Sequence, residues 1–310
     1  RWLIRSIAGE TPGKETNIGG LVFPNQLGVA AGFDKDARVV SGLSLLGFGH
    51  VEVGTITPRP QAGNPKPRIF RLSADRAIIN RMGFPNRGSA EIVDHLTSEQ
   101  NRPVGAILGV SIGKQKETPI EDAAEDYLDV LRQVHHLAGY LAINISSPNT
   151  PELRNLQQVS YLSDLLRPIA AEAVKLRSGQ SDRPLPLFVK IAPDLSLVEL
   201  DSILDILLAE EVDAVIATNT TINRAGLLDR NAGEVGGLSG RPLTRRSNEI
   251  IAYIYKVTNG TLPIIGAGGV FNTDDVLRKL DAGASLVQMY TGLIYEGPGI
   301  AGRILRNLQG

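Results

Sequence analysis

The stretch LFVKIAPDLSLVELDSILDILLAEEVDAVIA, residues 187–217, contains the unit that decides the fold. Two short apolar runs, 187–191 and 214–217, flank a longer segment whose apolar residues recur at helical spacing. Ser196 followed by Glu199 is a capping-box signature, which predicts that the helix starts at Ser196. The stretch therefore predicts a strand, a helix and a second strand, and nearly all-apolar strands of this kind are typical of a parallel sheet covered by helices.

The same unit repeats along the chain. Short apolar runs predict strands at 27–30, 50–53, 105–110, 141–145, 187–191, 214–217, 263–266 and 286–289. Helical periodicity is clearest at 36–46, 120–137, 161–177, 196–210, 244–258 and 273–281. Eight such units close into a barrel more readily than they form an open sheet. The predicted fold class is α/β, a (β/α)8 TIM barrel with a short N-terminal extension, in which 1–20 precede the barrel domain at 21–310.

Composition excludes several functional classes. The chain has 310 residues, 4 His and no Cys, so it offers no disulfide, no Cys-ligated metal and no cysteine nucleophile. A net charge of −1 and the lack of a basic stripe argue against nucleic-acid binding. No window reaches the roughly 18 uninterrupted apolar residues of a membrane span. Two long non-periodic segments, 57–76 and 222–242, are predicted to be loops that act as lids or ligand walls.

Residues that follow the strands form the working end of such a barrel. Here they are rich in Asn, Ser, Thr, Lys and Gly, they include no His, and Asp34 is almost the only carboxylate. A histidine-based acid–base mechanism, a two-carboxylate hydrolase and a metal site are therefore not expected. The four histidines, His50, His95, His135 and His136, are interpreted as surface or helix-end residues.

Two features of the same rim indicate a ligand. The loops GAGG at 266–269 and YTG at 290–292 supply backbone N–H groups where barrels commonly hold a phosphate, although tight turns would also explain the glycines. Lys190 lies inside an apolar strand, whereas Lys35 could equally be a solvated charge. An amide-rich rim with two lysines suits a planar heterocycle with a carboxylate, or a flavin-like ring, better than a sugar phosphate alone.

Seven motifs, in order from about Leu21 to the C-terminus, resemble dihydroorotate dehydrogenase. They are VAAGFDK at 29–35, GTITP at 54–58, NRMGF at 80–84, NISSPNT at 144–150, VKIAPD at 189–194, TNTT at 218–221 and GGLSGRP at 236–242. The resemblance implies an FMN-containing barrel that oxidises dihydroorotate to orotate in pyrimidine biosynthesis. Class 1 members use Cys as the base and class 2 members use Ser. Ser147 and the absence of Cys therefore indicate class 2, the quinone-reducing and membrane-associated type.

The resemblance also implies roles for individual residues. Ser147 resembles the base that takes the C5 proton while a hydride leaves C6 for the flavin, with Thr150 and Phe84 beside its proton relay. Positions matching the substrate clamp are Lys35, Asn80, Arg81, Met82, Gly83, Phe84, Asn144, Asn149, Asn219 and Thr220. Positions matching FMN contacts are Ala31, Gly32, Lys35, Thr55, Ser111, Asn144, Lys190, Thr218, Gly240, Gly269, Tyr290 and Thr291. Lys190 would face the N1/O2 edge of the flavin, and Arg71 and Tyr290 match positions that line the quinone tunnel.

The sequence departs from the family pattern in two places. Ser111 stands where the family usually has Asn. Its shorter hydroxyl cannot reach as far as the amide or offer both a donor and an acceptor arm, so a contact with the flavin would need a shorter approach or a bridging water. Residues 1–8, which include Trp2 and two arginines, are predicted to be either the end of an interfacial amphipathic helix or an ordinary packing helix. Because the chain begins at Arg1, we expect that an upstream piece has been removed.

The resemblance further implies a quinone and dihydroorotate as partners and a monomeric protein. It implies peripheral attachment to the cytoplasmic side of a bacterial inner membrane, or to the mitochondrial inner membrane in a eukaryote. Two alternatives remain open. One is a lyase or aldolase barrel in which Lys190 forms a Schiff base, and the other is a non-catalytic nucleotide-binding barrel.

Overall fold

The computed structural model describes residues 13–177 and 184–308. In chain order the strands within these residues are β1 (Thr16–Ile18), β2 (Leu21–Phe23), β3 (Leu27–Val29), β4 (His50–Ile56), β5 (Ile69–Leu72), β6 (Ala77–Asn80), β7 (Ile107–Ile112), β8 (Tyr140–Asn144), β9 (Leu187–Ile191), β10 (Ala214–Ala217), β11 (Gly237–Gly240), β12 (Ile264–Ala267) and β13 (Leu286–Met289). The α-helices are α1 (Val40–Leu45), α2 (Gly88–Thr97), α3 (Ala123–Val134), α4 (Val159–Arg177), α5 (Leu197–Ala209), α6 (Thr244–Val257), α7 (Thr273–Asp281), α8 (Thr291–Glu296) and α9 (Ile300–Asn307).

Eight of the strands form a closed parallel barrel, which confirms the predicted (β/α)8 fold. The order around the barrel is β3, β4, β7, β8, β9, β10, β12 and β13, and β13 pairs with β3 to close it. The predicted strands 187–191, 214–217 and 286–289 have the observed bounds, and the others differ by no more than three residues at an end. Prediction succeeds here because parallel strands that are buried on both faces are nearly continuous apolar runs.

The hairpin of β1 and β2 closes the amino-terminal end of the barrel. Phe23 in β2 lies against His50 and Tyr140, the first residues of β4 and β8. The predicted boundary after residue 20 falls at the turn of this hairpin, so residues 16–18 are strand and pack with the barrel. The amphipathic helix predicted at 1–8, with Trp2, lies outside the described residues.

His50 is buried inside the barrel, so its interpretation as a surface or helix-end residue is wrong. Its ring is 1% exposed and lies edge-on to Phe23, with 5.4 Å between the ring centres. Gly28 makes room for the ring, because a Cβ there would lie 2.1 Å from His50 Nε2. Neither ring nitrogen has a hydrogen-bond partner among the described residues. Burial lowers the pKa of His50 to about 3, which keeps the ring neutral.

A second, antiparallel sheet with the order β11, β6, β5 corrects the prediction of two long loops. β5 lies within the predicted loop 57–76, and β11 lies within the predicted loop 222–242. Gly237 in β11 is paired with Asn80 in β6, 157 residues away in the chain. Local periodicity carries no signal for such a distant pairing. The sheet brings Asn80, Ser239 and Gly240 to the rim of the barrel.

The capping box predicted at Ser196 is present at the start of α5. Ser196 Oγ accepts the N–H of Glu199 at 3.3 Å, and Glu199 Oε2 accepts the N–H of Ser196 at 2.8 Å.

No helix within residues 13–177 and 184–308 is long and apolar enough to cross a membrane.

Candidate active site

A cavity of about 930 Å³, its open mouth included, lies at the carboxyl-terminal ends of the barrel strands. Most of the predicted site residues line it. They are Ala31, Gly32, Lys35, Thr55, Asn80, Met82, Gly83, Phe84, Asn144, Ser147, Asn149, Lys190, Thr218, Asn219, Thr220, Gly240, Gly269, Tyr290 and Thr291. The fold thus brings together side chains from seven of the eight barrel strands or the loops after them, and β7 alone contributes none.

Four predicted site residues do not line this cavity. Ser111 is fully buried, and its hydroxyl lies 2.9 Å from that of Thr55. Thr150 is buried beside the Ser147 loop. Arg81 pairs with Glu234 at 2.6 Å at the outer edge of the site. Arg71 lies over the ring of Tyr295, 4.7 Å from its centre, and not with Tyr290 in the cavity.

Amides and hydroxyls form a connected cluster on one side of the cavity. Asn144 Nδ2 donates to Thr55 Oγ1 at 2.8 Å, and Asn144 Oδ1 accepts from the N–H and hydroxyl of Ser146. Asn219 Nδ2 donates to Ser146 Oγ at 3.0 Å. These bonds fix the orientation of Asn144 and Asn219, so both amides are held in place before any ligand binds.

Ser147 lies on the loop after β8 and is 6% exposed. Its Oγ accepts the backbone N–H of Asn149 at 3.2 Å, and Asn149 Nδ2 donates to Asn80 Oδ1 at 3.1 Å. The backbone carbonyl of Asn149 accepts from Asn64 Nδ2 at 3.1 Å. Thr150 Oγ1 has no partner among the described residues. The loop that contains Ser147 is therefore held by Asn80 on one side and Asn64 on the other. The buried hydroxyl of Thr150, next to this loop, is free to form a further hydrogen bond.

Lys35 lines the cavity from the loop after β3 and is half-buried. Asp34 fixes this loop, because its carboxylate accepts the backbone N–H groups of Arg38 and Val39 at 2.8 Å each. Burial, together with the positive charge of Arg68, lowers the pKa of Lys35 to about 8. Lys35 is therefore mostly protonated at neutral pH, but its pKa is only about one unit higher, so a small rise in pH removes its charge.

Lys190 is 5% exposed and also lines the cavity, and it has a partner that sequence analysis missed. Its Nζ lies 3.5 Å from Oε1 of Glu52, a fully buried residue of β4. Gln288, a second missed residue, lines the cavity and donates to Glu52 Oε2 at 2.8 Å. A charge inside an apolar strand singled out Lys190. Glu52 gives the same signal, because it is a charge within the apolar run 50–53, but it lies inside a predicted strand and not among the residues that follow one.

Glycines shape the far side of the cavity. Gly268 and Gly269 have φ of +123° and +73°, a region that side chains disfavour. Among the described residues, neither of their N–H groups donates to another residue. Thr291 Oγ1 donates to Ser239 Oγ at 2.8 Å, which joins the loop after β13 to β11. Free N–H groups in a glycine-rich loop are a common anion-binding arrangement.

Comparisons with known proteins agree with one another. The family profile described as dihydroorotate dehydrogenase matches residues 14–310. The dihydroorotate dehydrogenase (quinone) of Christiangramia forsetii is 49% identical over 286 residues, which cover 92% of this chain and 82% of that protein. The protein of the same name from Roseiflexus castenholzii is 49% identical over 301 residues, which cover 97% and 80%. A crystal structure of ligand-free DHODH from Eimeria tenella superposes with a TM-score of 0.90 at 41% identity, covering 99% of this chain and 91% of that one.

Proposed function

The chain belongs to the dihydroorotate dehydrogenase family, and on that premise we propose that it oxidises dihydroorotate to orotate, with FMN as the bound cofactor and a quinone as the final acceptor. The observation that carries the proposal is that Ser147 shares one cavity with both lysines and with the glycine-rich anion loop. This constellation supports the quinone-linked branch, since the chain contains no Cys that could replace Ser147 as the base.

Ser147 is the proposed base. In the reaction the C5–H and C6–H bonds of dihydroorotate break and the C5–C6 bond becomes double, so the substrate loses a proton and a hydride. Ser147 takes the C5 proton and must pass on its own, because a neutral serine hydroxyl is a weak base. The buried hydroxyl of Thr150, unpartnered among the described residues, supports a relay at this point. The N–H of Asn149 donates to Ser147 Oγ and so favours negative charge there.

The proposed substrate clamp consists of Lys35 and the oriented amides. Lys35 would bind the substrate carboxylate, and Asn144, Asn149 and Asn219 would bind the polar ring edges, since an amide offers both a donor and an acceptor. Asn80 is hydrogen-bonded to Asn149 and so joins the same set. Phe84 supplies an apolar wall, with Met82 and Gly83 beside it.

The family is flavin-dependent, and the cavity fits FMN. The free N–H groups of Gly268 and Gly269 suit its phosphate, with Gly240 and Thr291 nearby. Lys190 has three N–H groups and a single partner among the described residues, at 3.5 Å, so it can also donate to a ring. Remaining contacts are proposed for Ala31, Gly32, Thr55, Thr218 and Tyr290. When bound, FMN supplies the acceptor for the two electrons that leave the substrate. Ser111 would act on it through Thr55, to which its hydroxyl is bonded.

Quinone reduction, membrane attachment and a monomeric state complete the proposal. The curated relatives described above carry a quinone in their names, and this supports a quinone as the acceptor and peripheral attachment to the membrane that contains it. Arg71 and Tyr290 remain the proposed tunnel residues. Tyr290 lines the cavity, and its hydroxyl donates to the carbonyl of Gly32 at 3.3 Å.

Anaerobic mixing tests the proposal. Dihydroorotate should remove the yellow colour of the purified protein, and a quinone should restore it, whereas fumarate and NAD should not. A yellow protein that dihydroorotate does not bleach would support the non-catalytic barrel instead. A colourless protein in which borohydride traps a carbonyl substrate on Lys190 would support the lyase.

A further inference from the structure

Glu52 is the one fully buried carboxylate in the described barrel interior that contacts cavity-lining residues. It lies on β4, two residues after His50, and does not itself line the cavity. Both Lys190 and Gln288 do line it, and both contact Glu52. Glu52 is therefore one layer beneath the proposed flavin site.

The carboxylate of Glu52 is held in a fixed place. Oε2 accepts from Gln288 Nε2 at 2.8 Å and from the hydroxyl of Tyr140 at 3.1 Å, and Oε1 faces Lys190 Nζ at 3.5 Å. Burial raises the pKa of Tyr140 well above its usual value, so its hydroxyl keeps its proton and donates. Tyr140 is stacked on Phe188 with 4.3 Å between the ring centres, which fixes the donor in turn. No other acidic side chain lies within ion-pair distance of Lys190 in the described residues.

We propose that Glu52 is a buried counter-charge that lowers the reduction potential of the bound flavin by offsetting the positive charge of Lys190. The inference rests on the proposed function, because it requires a flavin beside Lys190. A reduced flavin carries negative charge at the ring edge that Lys190 is proposed to face, so a lone lysine would favour the reduced form. A fixed negative charge 3.5 Å from the ammonium opposes that effect, and water cannot screen it in a buried site. Glu52 thus keeps the reduced flavin able to pass its electrons to an acceptor.

The test is the midpoint potential of the bound flavin, measured by equilibration with a reference dye and a chemical reductant. Glu52→Gln has nearly the same shape without the charge, and it should raise the ratio of reduced to oxidised flavin at least tenfold at a fixed potential. For a two-electron couple this is a shift of about 30 mV. Glu52→Asp is the matched control, because it changes the packing but retains the charge, and it should stay close to the wild-type potential. An unchanged or lower potential in Glu52→Gln, or an equal shift in Glu52→Asp, overturns the proposal.

A second pair of variants covers the case in which Glu52→Gln leaves Lys190 without a counter-ion and does not fold. Lys190→Gln and the double variant Glu52→Gln/Lys190→Gln contain no unpaired lysine. The two potentials are compared at alkaline pH, because a buried carboxylate without a cation partner takes up a proton more readily. There the double variant should have the higher potential of the two, and equal potentials contradict the counter-charge. None of these measurements uses dihydroorotate. A wild-type flavin that dihydroorotate cannot bleach would therefore reject the proposed function, whereas normal bleaching with unchanged potentials would reject only the role of Glu52.

Discussion

The two lysines of the cavity differ in their surroundings, and the difference matters for what each can bind. Lys190 has a carboxylate partner in Glu52, whereas no acidic group lies within ion-pair distance of Lys35 in the part of the chain that the structure describes. A charge that is partly removed from water and has no counter-ion is unfavourable, and the pKa of such a lysine falls because the neutral form is favoured. For this reason the pKa of Lys35 is lowered to about 8. A ligand carboxylate beside Lys35 would supply the missing counter-ion.

The affinity for orotate should therefore depend on pH. Lys35 is protonated below its pKa of about 8 and loses its charge above it, so orotate binding should weaken as the pH rises through 8. If the neutral amine contributes nothing to binding, the Kd for orotate should rise by up to about tenfold per pH unit above this pKa. Titration of the flavin absorbance with orotate from neutral to alkaline pH measures this. Lys35→Gln should bind weakly at every pH, and a wild-type Kd that stays constant through this range contradicts the role of Lys35.

Sequence motifs identified most of the cavity residues, but not the layer beneath them. Lys190 stands out in the sequence because it is a charge in an apolar strand, and Glu52 in β4 is a second such charge. Gln288 and Tyr140 are less conspicuous, since polar or aromatic residues are common in strands. Their joint position depends on which barrel strands face one another across the interior, and this is a property of the closed barrel rather than of any one segment.

At the scale of elements, the barrel strands and the start of α5 followed from local patterns, whereas the second sheet did not. β5 and β11 are four residues each, and both pair with β6, while Leu238 of β11 also bridges Thr221. The sequence of β11, GLSG, contains two glycines, which are depleted in strands. The pairing of β11 with β6 joins distant parts of the chain, so local sequence patterns predict a loop at β11 instead of a strand.

Gly237 of β11 links this sheet to the proposed substrate clamp. A Cβ at Gly237 would lie 2.0 Å from Thr220 Oγ1, so Gly237→Ala should displace Thr220. Overpacking of this kind costs about 1–3 kcal/mol, and we expect an increase of about tenfold or more in the Kd for orotate, with FMN retained. Gly233→Ala is the matched control, because nothing lies within 4 Å of its Cβ position. Equal orotate affinity in both variants would show that Thr220 does not touch the substrate.

The capping box of α5 makes a separate prediction about stability. Ser196→Ala removes the side-chain acceptor for the N–H of Glu199 and should lower the free energy of unfolding by about 1 kcal/mol. Ser202→Ala, in the middle of the same helix, should have little effect, since Ala is the better helix former. Thermal unfolding compares the two variants. An equal loss in both would mean that the cap contributes nothing specific, and flavin reduction should be normal in each.

For the molecule as a whole, the buried His50 at the amino-terminal end of the barrel should make the stability of the fold sensitive to acid. The pKa of His50 is lowered to about 3 by burial, below the ~6.5 expected in the unfolded chain. A depressed folded pKa means that the stability is present above pH ~6.5 and is lost as the pH falls toward 3, by up to about 1.4 kcal/mol per pH unit.

His50→Phe tests this acid sensitivity, because the phenylalanine ring is of similar size to the histidine ring and has no nitrogen to protonate. Urea unfolding at neutral pH and at pH values below ~6 should show a smaller loss of stability for the variant than for the wild type. Parallel losses in the two proteins would mean that other groups control the acid sensitivity.

The central claim, that Ser147 is the base of a dihydroorotate dehydrogenase in a chain without cysteine, is tested most directly by anaerobic stopped-flow reduction of the flavin. Ser147→Ala should keep its flavin and bind orotate with nearly wild-type affinity, which shows that the cavity is intact. Its flavin should be reduced by dihydroorotate at least about 100-fold more slowly, the usual minimum contribution of a positioned general base. Reduction at a near wild-type rate would contradict the account.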